Sequence, residues 1–255
     1  DVWYSDLSIK PFPKQKPRPC VFEYIYFARP DSLINGKCAY EYRKNLGIEL
    51  AKEADVKADL VVPVPDSGVP ASLGYAEESG KQFELGLIRN HYVGRTFIEP
   101  TQNIRSLGVK LKLSSTKTIV KNKSVILIDD SLVRGTTCHK IVKMLYEAGA
   151  KEIHVRIACP EIKFPDFYGV DMPTKKELLA HEKSLDEMSN YIKAKSLKFL
   201  SINGLYKALT GSIRNSNYPQ FSDHYFTGDY PIKPYDSLHG YKVKQLSLLS
   251  GKSNN

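Results

Sequence analysis

The 255-residue chain is poor in sulfur and in tryptophan, with four cysteines, three methionines and one Trp. The cysteines (Cys20, Cys38, Cys138, Cys159) lie far apart and form no C-x-x-C pair, which argues against a zinc ribbon or a secreted disulfide scaffold and for a reducing compartment. Six histidines (His91, His139, His154, His181, His224, His239) show no ligand spacing, so a zinc site is not expected either. No apolar run approaches the ~20 residues of a membrane span, and neither a signal-peptide pattern nor an internal repeat is seen. Acid is scarce in one place. Between Arg89 and Lys121 seven cations (Arg89, Arg95, Arg105, Lys110, Lys112, Lys117, Lys121) face the single anion Glu99, in a chain whose net charge is +9. Such an excess suits a polyanion, either nucleic acid or a small polyphosphate, or else marks a solvated basic surface.

What is present is globular: 42% hydrophobic and 25% charged residues, in a chain long enough to bury a core without disulfides. Residues 1–19 hold four prolines between Pro11 and Pro19 with interleaved lysines and read as an extended linker. The aromatic run 21–27 predicts a strand. Leu46, Leu50 and Ala54 predict a helix over 40–54. A buried strand is expected at 59–65, then a helix ending at Gly80 and a strand over 83–88. The apolar run 125–128 has the texture of a central parallel strand. Cys138, Ile141, Val142 and Leu145 predict a helix closed by Gly149, and Ile153, Val155 and Ile157 alternate as another strand. This order implies βαβ units, a mostly parallel sheet and right-handed crossovers. Thr174–Glu177 and Ser184–Glu187 both fit the S/T-x-x-E capping box, the second opening a helix. Residues 197–202 predict a short strand, the region beyond Ser212 is irregular, and residues 247–255 are expected to fray.

The most informative stretch is VILIDDSLVRGTT, residues 125–137. A central strand ends in Asp129 and Asp130, where open α/β sheets bind ligands. A loop with Gly135 and hydroxyl residues then runs into a helix. Such a loop offers backbone N–H groups and hydroxyls to a phosphate, and the helix N-terminus favours its charge. The adjacent carboxylates suit a sugar's vicinal hydroxyls and Mg²⁺.

This stretch resembles the phosphoribosyl pyrophosphate (PRPP) signature of type I phosphoribosyltransferases, and in its detail the glutamine-dependent amidophosphoribosyltransferases. The runs FEYIYFARPDS (22–32), VPVPDSG (62–68) and LIRNHYVGRTFI (87–98) agree, so the resemblance covers about residues 20–230. It implies the type I phosphoribosyltransferase fold: a mostly parallel central sheet, helices on both faces and a smaller C-terminal appendage. It also implies transfer of ammonia to C1 of PRPP with loss of pyrophosphate, the first step of purine synthesis. The implied PRPP-binding residues are Asp66, Ser67 and Gly68 on a pyrophosphate loop that in related enzymes often holds a non-proline cis peptide, then Arg95 and Thr96 on a basic lid from Arg89 to about Leu113, and Asp129, Asp130, Ser131, Leu132, Val133, Arg134, Gly135, Thr136 and Thr137. Asp129, Asp130 and Arg95 are the implied catalytic residues, and Ser67, Asp129 and Asp130 the implied Mg²⁺ ligands.

Two departures from the family pattern stand out. Its glutaminase half uses an N-terminal cysteine, whereas this sequence opens on Asp1 and Cys20 is internal. The expectation is therefore a phosphoribosyltransferase half (residues 21–236) behind a linker (1–20) and ahead of a tail (237–255), using free ammonia or a glutaminase domain in cis or trans. Some members also carry a four-cysteine iron–sulfur cluster. Cys20 stands at the first such place, but Asp166 precedes Phe167 where a second cysteine belongs, and residues 217–226 contain none. No cluster is expected, and Cys20 reads as a small buried residue. Purine nucleotides as inhibitors, self-association and a cytoplasmic or organellar location complete the expectation; membrane and nucleic acid are not expected partners. The competing readings are a nucleobase phosphoribosyltransferase and a PRPP-sensing regulator, the latter lacking a visible helix-turn-helix module before Cys20.

Overall fold

The structure is a computed structural model that describes residues 17–90, 113–171 and 174–232. Its centre is a five-stranded parallel sheet in the order β4-β3-β7-β8-β9. The strands are β3 (Leu60–Pro63), β4 (Gln82–Phe83), β7 (Ser124–Asp129), β8 (Glu152–Ile157) and β9 (Ser196–Phe199). All four residues of β3 and the interior of β7 are buried, as continuous apolar strands covered on both faces must be. Two small antiparallel pairs flank it: β1 (Leu33–Ile34) with β2 (Lys37–Cys38), and β5 (Leu87–Arg89) with β6 (Leu113–Ser115).

Helix α1 (Ala39–Ala54) crosses α2 (Val69–Ser79) at glycines. A Cβ on Gly47 would lie 1.8 Å from the Ala71 carbonyl oxygen, and one on Gly74 2.0 Å from that of Lys44. Helix α3 (Lys117–Val120) leads into β7, and α4 (Thr136–Glu147) joins β7 to β8 with an apolar stripe of Cys138, Ile141, Val142 and Leu145. The chain moves one way along the sheet from β3 through α2 to β4, and the other way from β7 through α4 to β8. Right-handed crossovers in opposite directions put their helices on opposite faces. The connection from β8 to β9 holds α5 (Leu179–Glu182) and α6 (Leu185–Ile192); α7 (Ile202–Thr210) then packs on α1, and the short α8 (His224–Thr227) follows. The Ser184–Glu187 capping box is present in full.

Several expectations need correction. Residues 21–27 are not a strand: Glu23–Phe27 is a π-helical turn, with Tyr24 and Ile25 buried and Tyr26 and Phe27 exposed. The 83–88 run splits between β4 and β5, which belong to different sheets. The predicted strand over 197–202 ends at Phe199, because Ser201 accepts from the Gly204 N–H and caps a helix that the sequence did not reveal. Thr174 opens only the 3₁₀ turn Lys175–Glu177 and makes no side-chain cap bond. The lid expectation falls mostly on residues 91–112, and the fraying expectation on 247–255; both lie outside the described residues.

Candidate active site

Sheet topology places the site. The order reverses between β3 and β7, and in open α/β sheets the crevice at the carboxyl ends of such strands is where ligands bind. Register brings the two loops level: Pro63 pairs with Ile128, and the Val64 N–H donates to the Ile128 carbonyl at 2.8 Å. The chain then turns through Asp66, Ser67 and Gly68 into α2, and the Pro65–Asp66 peptide bond is cis. Position 68 admits only glycine, since a Cβ would stand 2.5 Å from the Ile128 carbonyl oxygen.

From β7 the loop over residues 130–135 borders a cavity of about 250 Å³ lined by Asp129 and residues 131–138. Gly135 has φ +72° and buries its Cα against Leu179 and Tyr191, and α4 begins at the next residue. The loop thus ends on a helix N-terminus of twelve residues, a suitable seat for an anion. Asp130 is buried, and Asp129 accepts hydrogen bonds from the Asp130 N–H (2.9 Å) and from Ser67. Ser131 Oγ donates to Asp130 Oδ2 at 2.8 Å. Burial, together with the neighbouring Asp130 carboxylate, holds the Asp129 carboxyl well above the usual carboxylate range. Two crowded carboxylates beside Ser67 form a set of hard oxygens that could hold Mg²⁺, which is commonly bound by one or two carboxylates plus substrate oxygens.

The structure therefore brings together Asp66, Ser67 and Gly68 with Asp129, Asp130, Ser131, Leu132, Val133, Arg134, Gly135, Thr136 and Thr137; Arg95 and Thr96 lie outside the described residues. It adds a basic flank. Arg89 pairs with Asp66, and both line a groove of about 490 Å³ with Ser67, Arg29 and Arg43. Arg43 was not singled out from sequence. It is buried in α1 and donates to the carbonyls of Tyr24 (3.2 Å) and Ala28 (2.7 Å). Burial pulls its pKa down, and the Asp130 charge opposes that shift. The available signal was a cation set among the apolar positions of a helix.

Cys20 is half-buried with Sγ 3.3 Å from the Tyr225 hydroxyl, and the Asp166 carboxylate is taken by His224 Nε2 at 2.8 Å. One thiolate among already bonded partners does not fit an iron–sulfur cluster, which needs four ligands. Burial pushes the Cys138 and Cys159 thiols up, so neither is a poised nucleophile.

Two loops facing each other across a sheet's switch point, one with paired acids and a Gly-containing turn into a helix, define an open α/β domain with a ligand crevice, and the chain belongs to the phosphoribosyl transferase domain family, which it matches over residues 37–192. It is 58% identical over 242 residues to the amidophosphoribosyltransferase of Rhizobium etli, covering 94% of this chain and 49% of that protein. With the chloroplastic amidophosphoribosyltransferase 1 of Arabidopsis thaliana it shares 51% over 222 residues, 87% of this chain and 38% of the relative. Among solved structures it is similar to the B. subtilis glutamine PRPP amidotransferase complexed with ADP and GMP, with a TM-score of 0.77 and 50% identity over 85% of this chain and 48% of that one. The chain spans about half the length, or less, of the curated relatives it matches.

Proposed function

We propose that this chain is the half of an amidophosphoribosyltransferase that binds PRPP and joins ammonia to C1 of its ribose, giving 5-phosphoribosylamine and pyrophosphate. The single observation that supports this best is the pairing, at one switch point, of the Asp129–Asp130 acids and phosphate-type loop with the 66–68 loop, in a chain closely similar to amidophosphoribosyltransferases. In this reading residues 131–137 cradle the 5′-phosphate with backbone N–H groups and hydroxyls. Asp129 and Asp130 accept hydrogen bonds from the ribose hydroxyls and fix the sugar. Asp66, Ser67 and Gly68 border the pyrophosphate, with Arg89 as the nearest described cation and Arg95 and Thr96 as further expected partners. When bound between Ser67, Asp129 and Asp130, Mg²⁺ would supply charge for the departing pyrophosphate.

The C1–O bond to pyrophosphate breaks as the C1–N bond forms on the opposite face, and the nitrogen sheds a proton to become the neutral amine. The chain's task is positioning and charge balance rather than covalent catalysis. Ammonia would come from free solution or from a glutaminase domain in cis or trans. Purine nucleotides as inhibitors, self-association and a cytoplasmic or organellar home belong to the same proposal; among the described residues no helix is long and apolar enough to cross a membrane. The test is pyrophosphate release from PRPP with ammonium chloride and Mg²⁺. Asp130→Asn should lower the rate by at least about 100-fold, in the range seen when a transition-state charge contact is removed. Equal rates for the two proteins would refute the site.

A further inference from the structure

The two S/T-x-x-E motifs have different fates in the fold. Glu187 turns back on its own helix, accepting from the Ser184 N–H and hydroxyl, each at 2.8 Å. Glu177 does not. Its backbone closes a single 3₁₀ turn, and its carboxylate reaches Arg134, 43 residues earlier and inside the phosphate loop, accepting a hydrogen bond from Nε at 3.1 Å, with Nη2 in ion-pair contact at 3.1 Å. Thr174 Oγ1 donates to the other carboxylate oxygen at 3.3 Å, which fixes the side chain from behind. Arg134 holds the Glu177 carboxyl below the usual range.

The same segment touches the loop at two further points. The Leu179 N–H donates to the Val133 carbonyl at 2.9 Å, and a Cβ on Gly135 would meet Leu179 Cδ2 at 2.7 Å and Tyr191 Cε1 at 3.1 Å. Three consecutive loop residues are therefore held, one by an ion pair, one by a backbone bond and one by contact. A phosphate cradle works only if its N–H groups converge before the anion arrives, so whatever fixes the loop in the empty protein contributes to binding.

We propose that Glu177 is a positioning residue for the phosphate loop: by pairing with Arg134 beside the Val133–Leu179 bond, it holds the loop in the shape that receives the ribose 5′-phosphate. It touches no substrate, and the inference rests on the PRPP-binding reading of this site. An exposed pair is weak, so the expected effect is moderate. It should also be selective, because pyrophosphate is assigned to the 66–68 loop, which Glu177 does not contact.

The experiment titrates the 255-residue chain and its Glu177→Gln variant with ribose 5-phosphate, and separately with pyrophosphate and Mg²⁺. The variant should bind ribose 5-phosphate about fivefold more weakly, bind pyrophosphate within about twofold of the unsubstituted chain, and raise KM for PRPP by a similar factor with kcat unchanged. Unchanged ribose 5-phosphate affinity in a parent chain that binds it would overturn the role of Glu177 alone. Equal weakening of both ligands would also overturn it, as general loosening. A parent chain that fails to bind ribose 5-phosphate would overturn the functional reading, and this inference with it.

Discussion

Asp129 sits in a site whose chemistry works against its own stability. Desolvation and the adjacent Asp130 hold its carboxyl well above the usual range, so the folded chain disfavours the ionised form that the proposed metal and sugar roles require. The unfolded chain loses that proton near pH 4, the folded chain only at higher pH. The contribution to stability is thus full at low pH and is lost as pH rises through the folded value, until a ligand cation offsets it. Asp129→Asn keeps an oxygen to accept from the Asp130 N–H and from Ser67 while removing the charge. At pH 7 and without ligands the variant should gain about 1 kcal/mol, or about 2–4 °C in Tm, as substitutions at strained functional positions do. Mg²⁺-dependent PRPP binding should disappear, as read by calorimetry. A lower Tm would sink the argument. The acids were legible in sequence because a strand end, two carboxylates and a Gly-containing turn each have a task there. Arg43 was not, because one cation on an apolar helix face resembles an ordinary surface residue until the 23–28 turn folds over it.

Local elements were legible where one periodicity dominated. The strands β3, β7 and β8 and the helix α4 follow their predicted places because burial on both sheet faces, or on one helix stripe, leaves an unmixed pattern. The run 21–27 misled because its aromatics favour strands, yet its buried residues are Val21, Phe22, Tyr24 and Ile25, a two-in, one-out rhythm that belongs to a helix. The α1–α2 crossing was hidden for another reason: glycine inside a helical pattern lowers confidence in the helix and says nothing about a neighbour. Contact decides it. Gly47→Ala gains about 1 kcal/mol of helix propensity, but its Cβ must occupy space 1.8 Å from the Ala71 carbonyl oxygen, so the helices must part. The net loss should be at least about 2 kcal/mol in urea unfolding, at the level of core overpacking. PRPP affinity should fall as well, since α2 begins at the 66–68 loop and α1 carries Arg43. Unchanged stability would show that the two backbones are not in contact there.

At the scale of the molecule, the parts of the chain least legible in sequence close the domain. Arg18 and Cys20 meet the segment from Phe221 to Asp229 about 200 residues later. Arg18 donates to the Phe221 carbonyl and to Asp229, Cys20 bridges Ser222 in parallel, and buried Asp223 takes Arg214 at 2.6 Å and Arg18 at 3.6 Å. No local pattern encodes such a clasp, because each polar residue reads as surface until its partner arrives. His224 lies at its centre, fully buried, packed against Tyr225 with ring centroids 4.0 Å apart and planes tilted by 34°. Burial depresses its pKa more than Asp166 raises it. Asp166 is itself held low: hydrogen bonds from Val170, Tyr168 and His224 outweigh its burial. This describes a neutral imidazole donating Nε2–H to an ionised carboxylate and accepting from Ser222 Oγ. The sign follows. Above about pH 6.5 neither state protonates this histidine; as pH falls below that, the unfolded chain takes up a proton and the folded chain resists, so stability declines. His154, also depressed chiefly by burial, titrates in the same direction. Between pH 7.5 and 5 the two histidines should pull the thermal midpoint down as pH falls, against the opposite trend of Asp129, so the test is the difference in slope between the parent chain and a His224 variant. His224→Gln should be less stable throughout, because an amide fills the imidazole's place poorly, yet its midpoint should lose less on acidification than the parent's, His154 and Asp129 contributing alike to both. Parallel curves for the two proteins would mean that His224 takes up its proton as readily in the folded clasp as in the unfolded chain.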